Sequence, residues 1–238
     1  MKRNSRLLYY VLCISLLSSF LIGGFSYWLL RQHIIGEARD RNNLQLDFVN
    51  ASTTYFEHSQ KRLINELLKN NDGFYPELTN GFMLLRKQSE LLGKRNKGHS
   101  LHLASLNPLN PDNWADNEES RIINAFQKNP QQLKIQEGLI RKNNDVLFYT
   151  ATPIRITGNS CLNCHGAPDN APRAQIILYG RDSGYNWQKN TTIAAAIAYV
   201  SVKNVISEAR KNALKIFAVS LVCFLLSFTA IFLFFDRD

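Results

Sequence analysis

The chain has 238 residues, 45% hydrophobic and 20% charged, which is enough for one good-sized domain or for a domain plus membrane segments. Its 28 Lys and Arg against 19 Asp and Glu give a formal net charge of +9. Basic residues alternate with acidic and amide ones and never run to five together, so the charge reads as a solvated surface and no nucleic acid partner is expected.

Leu7 to Leu30 and Ile216 to Phe235 contain no charged residue, and each run reaches the ~20 apolar residues that cross a bilayer as a helix. The first follows Lys2, Arg3 and Arg6; it is longer than a signal-peptide core and lacks a small-residue cleavage site, so it reads as an uncleaved anchor. The positive-inside rule puts those three cations in the cytoplasm, although Arg31, Arg39, Arg41, Arg210, Lys211 and Lys215 lie near the spans on the other side. The expected layout is a cytoplasmic tail (1–6), a transmembrane helix (7–30), a periplasmic domain (31–211), a second transmembrane helix (212–235) and a short cytoplasmic tail (236–238). Membrane lipid is then an expected partner.

Within the soluble segment, the chain from Arg31 to about Asn70 has no Pro and a single Gly, and Leu44, Phe48, Tyr55, Phe56, Leu63 and Leu67 recur at roughly helical spacing. This predicts a long helix ending at Asn70-Asn71-Asp72-Gly73. A second helix is predicted from Glu77 to Leu92, after Pro76 and closing at Gly93. Ser100 to Leu106 reads as a strand, Asn107 to Asn113 as a turn-rich loop, and Asp116 to Lys128 as a helix. Leu133 to Lys142 and Val146 to Ile156 form two strands around a hairpin signal, Asn143-Asn144-Asp145. Ala174 to Tyr179 and Ile193 to Val202 are predicted strands, followed by a helix from Lys203 into the second span. The fold class is α+β, an antiparallel sheet with helices held between two membrane helices, as in bacterial extracytoplasmic sensor domains.

Cys13 and Cys223 lie inside the apolar runs, where a thiol is ordinary filler. The other two cysteines form Cys161-Leu162-Asn163-Cys164-His165, the C-x-x-C-H pattern of covalent haem attachment. Thiols three residues apart point to one side of a single turn and match the two vinyl groups of a haem. The adjacent imidazole then reaches the iron as proximal ligand. Two other chemistries use the same residues. A structural zinc needs a fourth ligand, and no second Cys pair lies outside the apolar runs. A redox dithiol prefers a helix start, whereas Gly158-Asn159-Ser160 reads as a loop. Haem c, one per chain and covalent, is the expected cofactor. Its maturation on the outer face of the bacterial inner membrane sets the orientation.

Ser105-Leu106-Asn107-Pro108-Leu109-Asn110-Pro111-Asp112-Asn113, Thr152-Pro153-Ile154, the haem motif with Gly166, Ala171-Pro172, Tyr179-Gly180 and Gly184 together resemble the Tll0287-like, or DUF3365, haem-binding domains over roughly residues 40 to 205. The resemblance implies a PAS-like fold, a haem c in its pocket and use as the sensory input of transmembrane receptors. It also implies a distal Cys in some relatives, which this chain does not offer outside its spans and its motif.

Met83 is the distal ligand candidate on the second helix, weighed against core packing. His102, His58, His99 and His33 are the alternatives, with water or an open site besides. Arg155 and Arg173 are candidates for the haem propionates, and Tyr149, Tyr179, Tyr185 and Trp187 for the pocket wall or core. No Ser-His-Asp order, paired carboxylates or Gly-rich phosphate loop appears, so no enzyme is expected. Two functions follow: an extracytoplasmic redox or gas-ligand sensor, or an electron-transfer cytochrome. Either works with a membrane signalling or redox protein, and a homodimer is expected by analogy with two-helix receptors.

Overall fold

Antiparallel pairing builds one four-stranded sheet from β1 (His99–Ser105), β2 (Gln136–Lys142), β3 (Asp145–Arg155) and β4 (Thr192–Ser201), in the order β1-β4-β3-β2. The computed structural model describes residues 2–69, 75–96 and 98–235. It divides into two units, Ala38–Ser201 and the flanking segments up to Glu37 and from Val202. The predicted hairpin joins β2 to β3. Asn143 and Asn144 take φ values of 50° and 63°, the left-handed pair that a two-residue turn demands and that asparagine tolerates.

Interior strand β4 is uncharged and buried from Ala194 to Val200, and its neighbours alternate between two helical layers. Ala195, Ile197 and Tyr199, with Ala104 and Ala151, meet Ile122, Ile123 and Phe126 of α5, which spans Asn117–Lys128. Ala196 and Ala198, with Leu103, meet Leu46, Val49 and Leu85 on the opposite face. Leu46 and Val49 belong to α1 (Lys2–Tyr55) and Leu85 to α4 (Gly81–Arg95). Fully burying each large side chain in these layers contributes about 1.5–3 kcal/mol. The α+β class is thus as expected, with helices on both faces of an antiparallel sheet.

The helix predicted past Arg31 is present. It widens into a π-helical stretch, Phe56–Gln60, and resumes as α2, Lys61–Leu67. Buried Phe56 packs against Gly81, where a Cβ would stand 2.9 Å from its ring. The predicted terminator at 70–73 lies outside the described residues. The second predicted helix is divided: α3 (Pro76–Thr79) precedes α4, and between them Asn80 is extended and caps α4 by accepting from the Phe82 N–H at 2.9 Å. α5 starts with a reciprocal capping box between Asp116 and Glu119.

One predicted strand is a helix. Ala174 to Tyr179 lies in α7, Arg173–Tyr179. The Pro172 carbonyl accepts from the Gln175 and Ile176 N–H groups and starts the turn. Its burial is inverted for its composition, with Gln175 inward and Ile177 and Leu178 exposed, which is why the apolar run misleads.

In the flanking unit, Ser15, Ser19 and Gly23 recur every four residues along α1. A Cβ on Gly23 would lie 2.9 Å from Phe217 Cβ of α8 (Lys203–Phe235). Ser15, Ser19, Ala209 and Ala213 are buried, the small-residue contact by which apolar helices approach closely. Both helices are long and apolar enough to cross a membrane.

Candidate functional site

After β3 the chain turns through buried Ile156, whose N–H donates to Thr191 and whose carbonyl accepts from Asn190. It then enters α6, Asn159–His165, with Gly158 as the extended residue before it. The segment 158–160 read from sequence as a loop is therefore the beginning of a helix, and the motif rides on α6. Cys161 and Cys164, three apart on a helix, share a face. Both are part-buried free thiols. Gly166 ends the helix through its N–H to the Leu162 carbonyl at 2.8 Å, and a Cβ there would come within 2.5 Å of that oxygen.

His165 is held from two sides. Its Nδ1 lies 2.8 Å from the Gly184 carbonyl. A carbonyl only accepts, so Nδ1 carries a proton, and in the neutral ring Nε2 keeps its lone pair. The ring stacks on Trp187 with centroids 3.9 Å apart and planes 6° from parallel. Burial lowers the His165 pKa against the opposing Gly184 bond, favouring the neutral imidazole that ligates a metal. Backbone bonds from Asn186 N–H to Gly166 and from Trp187 N–H to His165 lock the two strips of chain together.

A polar scaffold surrounds this pair. Asn107 accepts from the Gly184 N–H at 2.8 Å, donates to the Tyr185 carbonyl at 3.1 Å, and through its own carbonyl receives Trp187 Nε1–H at 3.2 Å. Gln175, 1% exposed, donates to the Cys164 carbonyl at 2.7 Å and lies 3.3 Å from the Tyr185 hydroxyl, which itself donates to Gly180. Gly184 has φ +82°, and a Cβ on it would sit 2.5 Å from Leu109 Cα. Only glycine fits there.

The description Tll0287-like belongs to the family model that matches residues 31–201. The chain belongs to the Tll0287-like family. A solved structure, the cyanobacterial haem protein Tll0287, is 19% identical over 65% of this chain and 95% of its own, with a TM-score of 0.42. No curated protein matches. The Tll0287-like segment contains the whole sheet, α6, Asn107, Gln175, Gly184 and Trp187.

Inside that segment the rival chemistries fare differently. Placing the motif on a helix removes the loop argument against a redox dithiol, but burial pushes the Cys164 thiol up, only partly offset by Lys61, opposite to the lowered value of a reactive dithiol. Among the described residues, no three His, Cys, Asp or Glu side chains are gathered as a zinc site needs.

His102 is committed elsewhere. Its Nδ1 lies 2.9 Å from Glu119 Oε1 and its Nε2 3.1 Å from the Asp112 carbonyl. Both ring nitrogens of His102 are thus engaged within the Glu119 cluster. Glu119, 1% exposed, also accepts from Lys142 at 3.0 Å, Tyr199 at 2.8 Å and the Asp116 N–H at 3.0 Å. Burial would raise the Glu119 pKa, but His102, the Asp116 amide and Lys142 outweigh it and hold the carboxyl at about 2.

His33 pairs with Glu37 at 3.5 Å, and His58 is exposed on the π-helical stretch. Burial lowers the pKa of His99, and Arg41 adds to it. Met83 is half-buried on α4, next to Phe82. Phe82 lines a cavity of about 340 Å³ with Val49, Thr53, Thr152, Pro153 and Ile154. Arg155 donates to the Pro130 carbonyl, Arg173 is exposed, and Tyr149 lies over Gly138. Among the described residues, the side-chain polar and ring contacts of His165 are to Gly184 and Trp187.

Proposed function

We propose that this chain is a membrane-anchored monohaem c-type cytochrome whose PAS-like domain senses redox state or a small gaseous ligand outside the bacterial inner membrane. The observation that carries the reading is His165: one ring nitrogen is fixed on the Gly184 carbonyl and the other is left for a metal, directly after two thiols on one helical face. Cys161 and Cys164 would hold the haem as thioethers and His165 would be its proximal ligand. A haem supplies a one-electron centre with an axial position for small ligands. The protein's part is orientation: Asn107, Gln175 and Trp187 fix the imidazole and the helix end that carries it. Met83 is the side chain proposed for the distal position, with water or an open site as the alternatives. The two apolar helices support the anchored arrangement, and its partner is a membrane signalling protein. The proposed role is non-enzymatic.

A second reading, electron transfer, draws on α7. Ile177 and Leu178 are 76% and 57% exposed on a helix bonded to the Cys164 carbonyl through Gln175. An apolar surface so close to the motif suits the docking of a redox protein.

Haem staining on a denaturing gel, of protein produced with c-type maturation, decides the first point. Stain that survives denaturation and disappears in Cys161→Ala plus Cys164→Ala is expected; no covalent haem sinks the proposal. Spectra with CO then divide the two readings. A shifted Soret band means an exchangeable axial site and supports sensing, whereas an unchanged six-coordinate spectrum supports transfer.

A further inference from the structure

Helix α1 is apolar on two opposite faces. Ala38, Leu46, Val49 and, beyond the helix end, Phe56 face the core with buried Asn42. Two residues out of phase, Leu44, Phe48, Ala51 and Tyr55 point to solvent, and the three large ones are 72%, 56% and 61% exposed. Their spacings of four, three and four are those of a coiled-coil seam, and a second apolar stripe open to solvent marks an interaction surface.

We propose that this face is where a second copy of the chain docks, the two α1 helices pairing in parallel through Leu44, Phe48, Ala51 and Tyr55.

Three observations choose a second copy over another partner. The heptad phase is the self-complementary pattern that lets identical helices interdigitate knobs into holes. From Asn42 to Gln60 there is no Lys or Arg, and the two acidic residues, Asp47 and Glu57, fall outside the four-three-four seam, although the chain as a whole carries a formal net charge of +9. Two copies therefore meet at a stretch that does not share the general cationic repulsion. Third, α1 runs unbroken from the apolar stretch to the seam. Copies anchored in one membrane are confined together, which raises their effective concentration; this last argument rests on the membrane-anchored reading.

Single cysteines at Phe48 and Ala51 on the seam, and at Asn43 and Asn50 off it, test the pairing in membranes. They are made in the full chain with Cys13→Ser and Cys223→Ser, leaving the haem motif intact. Oxidative cross-linking is expected to give at least fivefold more dimer from Phe48→Cys and Ala51→Cys than from the off-seam sites. Leu44→Glu plus Phe48→Glu is expected to halve the protein mass measured by light scattering in detergent. Equal yields at all four sites, or no dimer at any, in protein that stains for haem as the parent does, overturns the seam. An unchanged mass in the double Glu variant overturns it too. Haem stain and membrane fractionation are read on the same samples, so a failure of the cofactor or of the anchor is seen separately from a failure of the seam.

Discussion

Replacing Glu119 with alanine removes the acceptor on which four donors converge inside the protein. His102, Lys142 and Tyr199 lose their shared oxygen, and the capping box of α5 loses its return bond. Leaving one side of a buried ion pair without its partner costs about 3–5 kcal/mol. A separate route gives a similar scale: a carboxyl held at about 2 instead of 4.5 contributes about 3 kcal/mol of stability at neutral pH. For a domain of this size that lowers the melting temperature by roughly 10 °C. The folded value lies below the unfolded one, so the contribution is complete above about pH 4.5 and is lost as pH falls from there toward 2. The assay is thermal unfolding of the full chain in detergent at pH 6 and pH 3, followed by near-ultraviolet circular dichroism. Glu119→Ala is expected to melt well below the parent at pH 6, with the gap narrowing at pH 3, and Glu119→Gln to fall between. A gap under about 2 °C at pH 6, or one that does not shrink at pH 3, refutes the account of the cluster.

His102 acts in the opposite pH direction. Burial works against its charge, but Glu119 and the Asp112 carbonyl outweigh that and raise its pKa above the ordinary 6.5, so its contribution is full below about pH 6.5 and lost as pH climbs through the raised value. His102→Phe is expected to flatten the alkaline limb of a melting-temperature profile. Gly184→Ala forces a Cβ to within 2.5 Å of Leu109 at φ +82° and displaces the carbonyl that orients His165. It is expected to cost about 2 kcal/mol or more and to lower haem incorporation per protein, read by pyridine haemochrome. Gln175→Leu strips the buried bond to the Cys164 carbonyl, and a loss of about 1–3 kcal/mol in chemical denaturation is expected. Arg39→Ala breaks a bidentate pair with Glu137, but both side chains are a third or more exposed, so a change under about 1 kcal/mol is expected in the same assay.

Local signals carried much of the fold. The Asn143-Asn144 turn, the α5 boundaries and strands β1 to β4 follow from residue types adjacent in the chain, because turn chemistry and alternation act over a few positions. α7 fails for the same reason. Ile176-Ile177-Leu178-Tyr179 has the side chains of a strand, but Pro172 starts a helical turn and the inward position goes to Gln175. At the site, Cys161, Cys164 and His165 were legible because one pentapeptide holds them. The residues that orient them were not. Asn107, Gln175, Gly184 and Trp187 come from separate loops and a short helix, and their roles exist only once the chain has closed on itself. The Glu119 cluster draws on β1, β2, β4 and α5 together with the loop at Asp112, so only its Asp116–Glu119 cap lies within a readable window.

The alanines of β4 have a practical consequence. Ala195 and Ala196 are consecutive, yet one methyl sits under α5 and the other under α1 and α4. Isotope labelling of these two methyl groups would place spectroscopic reporters in the two halves of the interior, separated by one peptide bond. Any rearrangement begun at α1 would reach the Ala196 resonance first, and whether Ala195 responds in step would tell how stiffly the sheet couples its two sides.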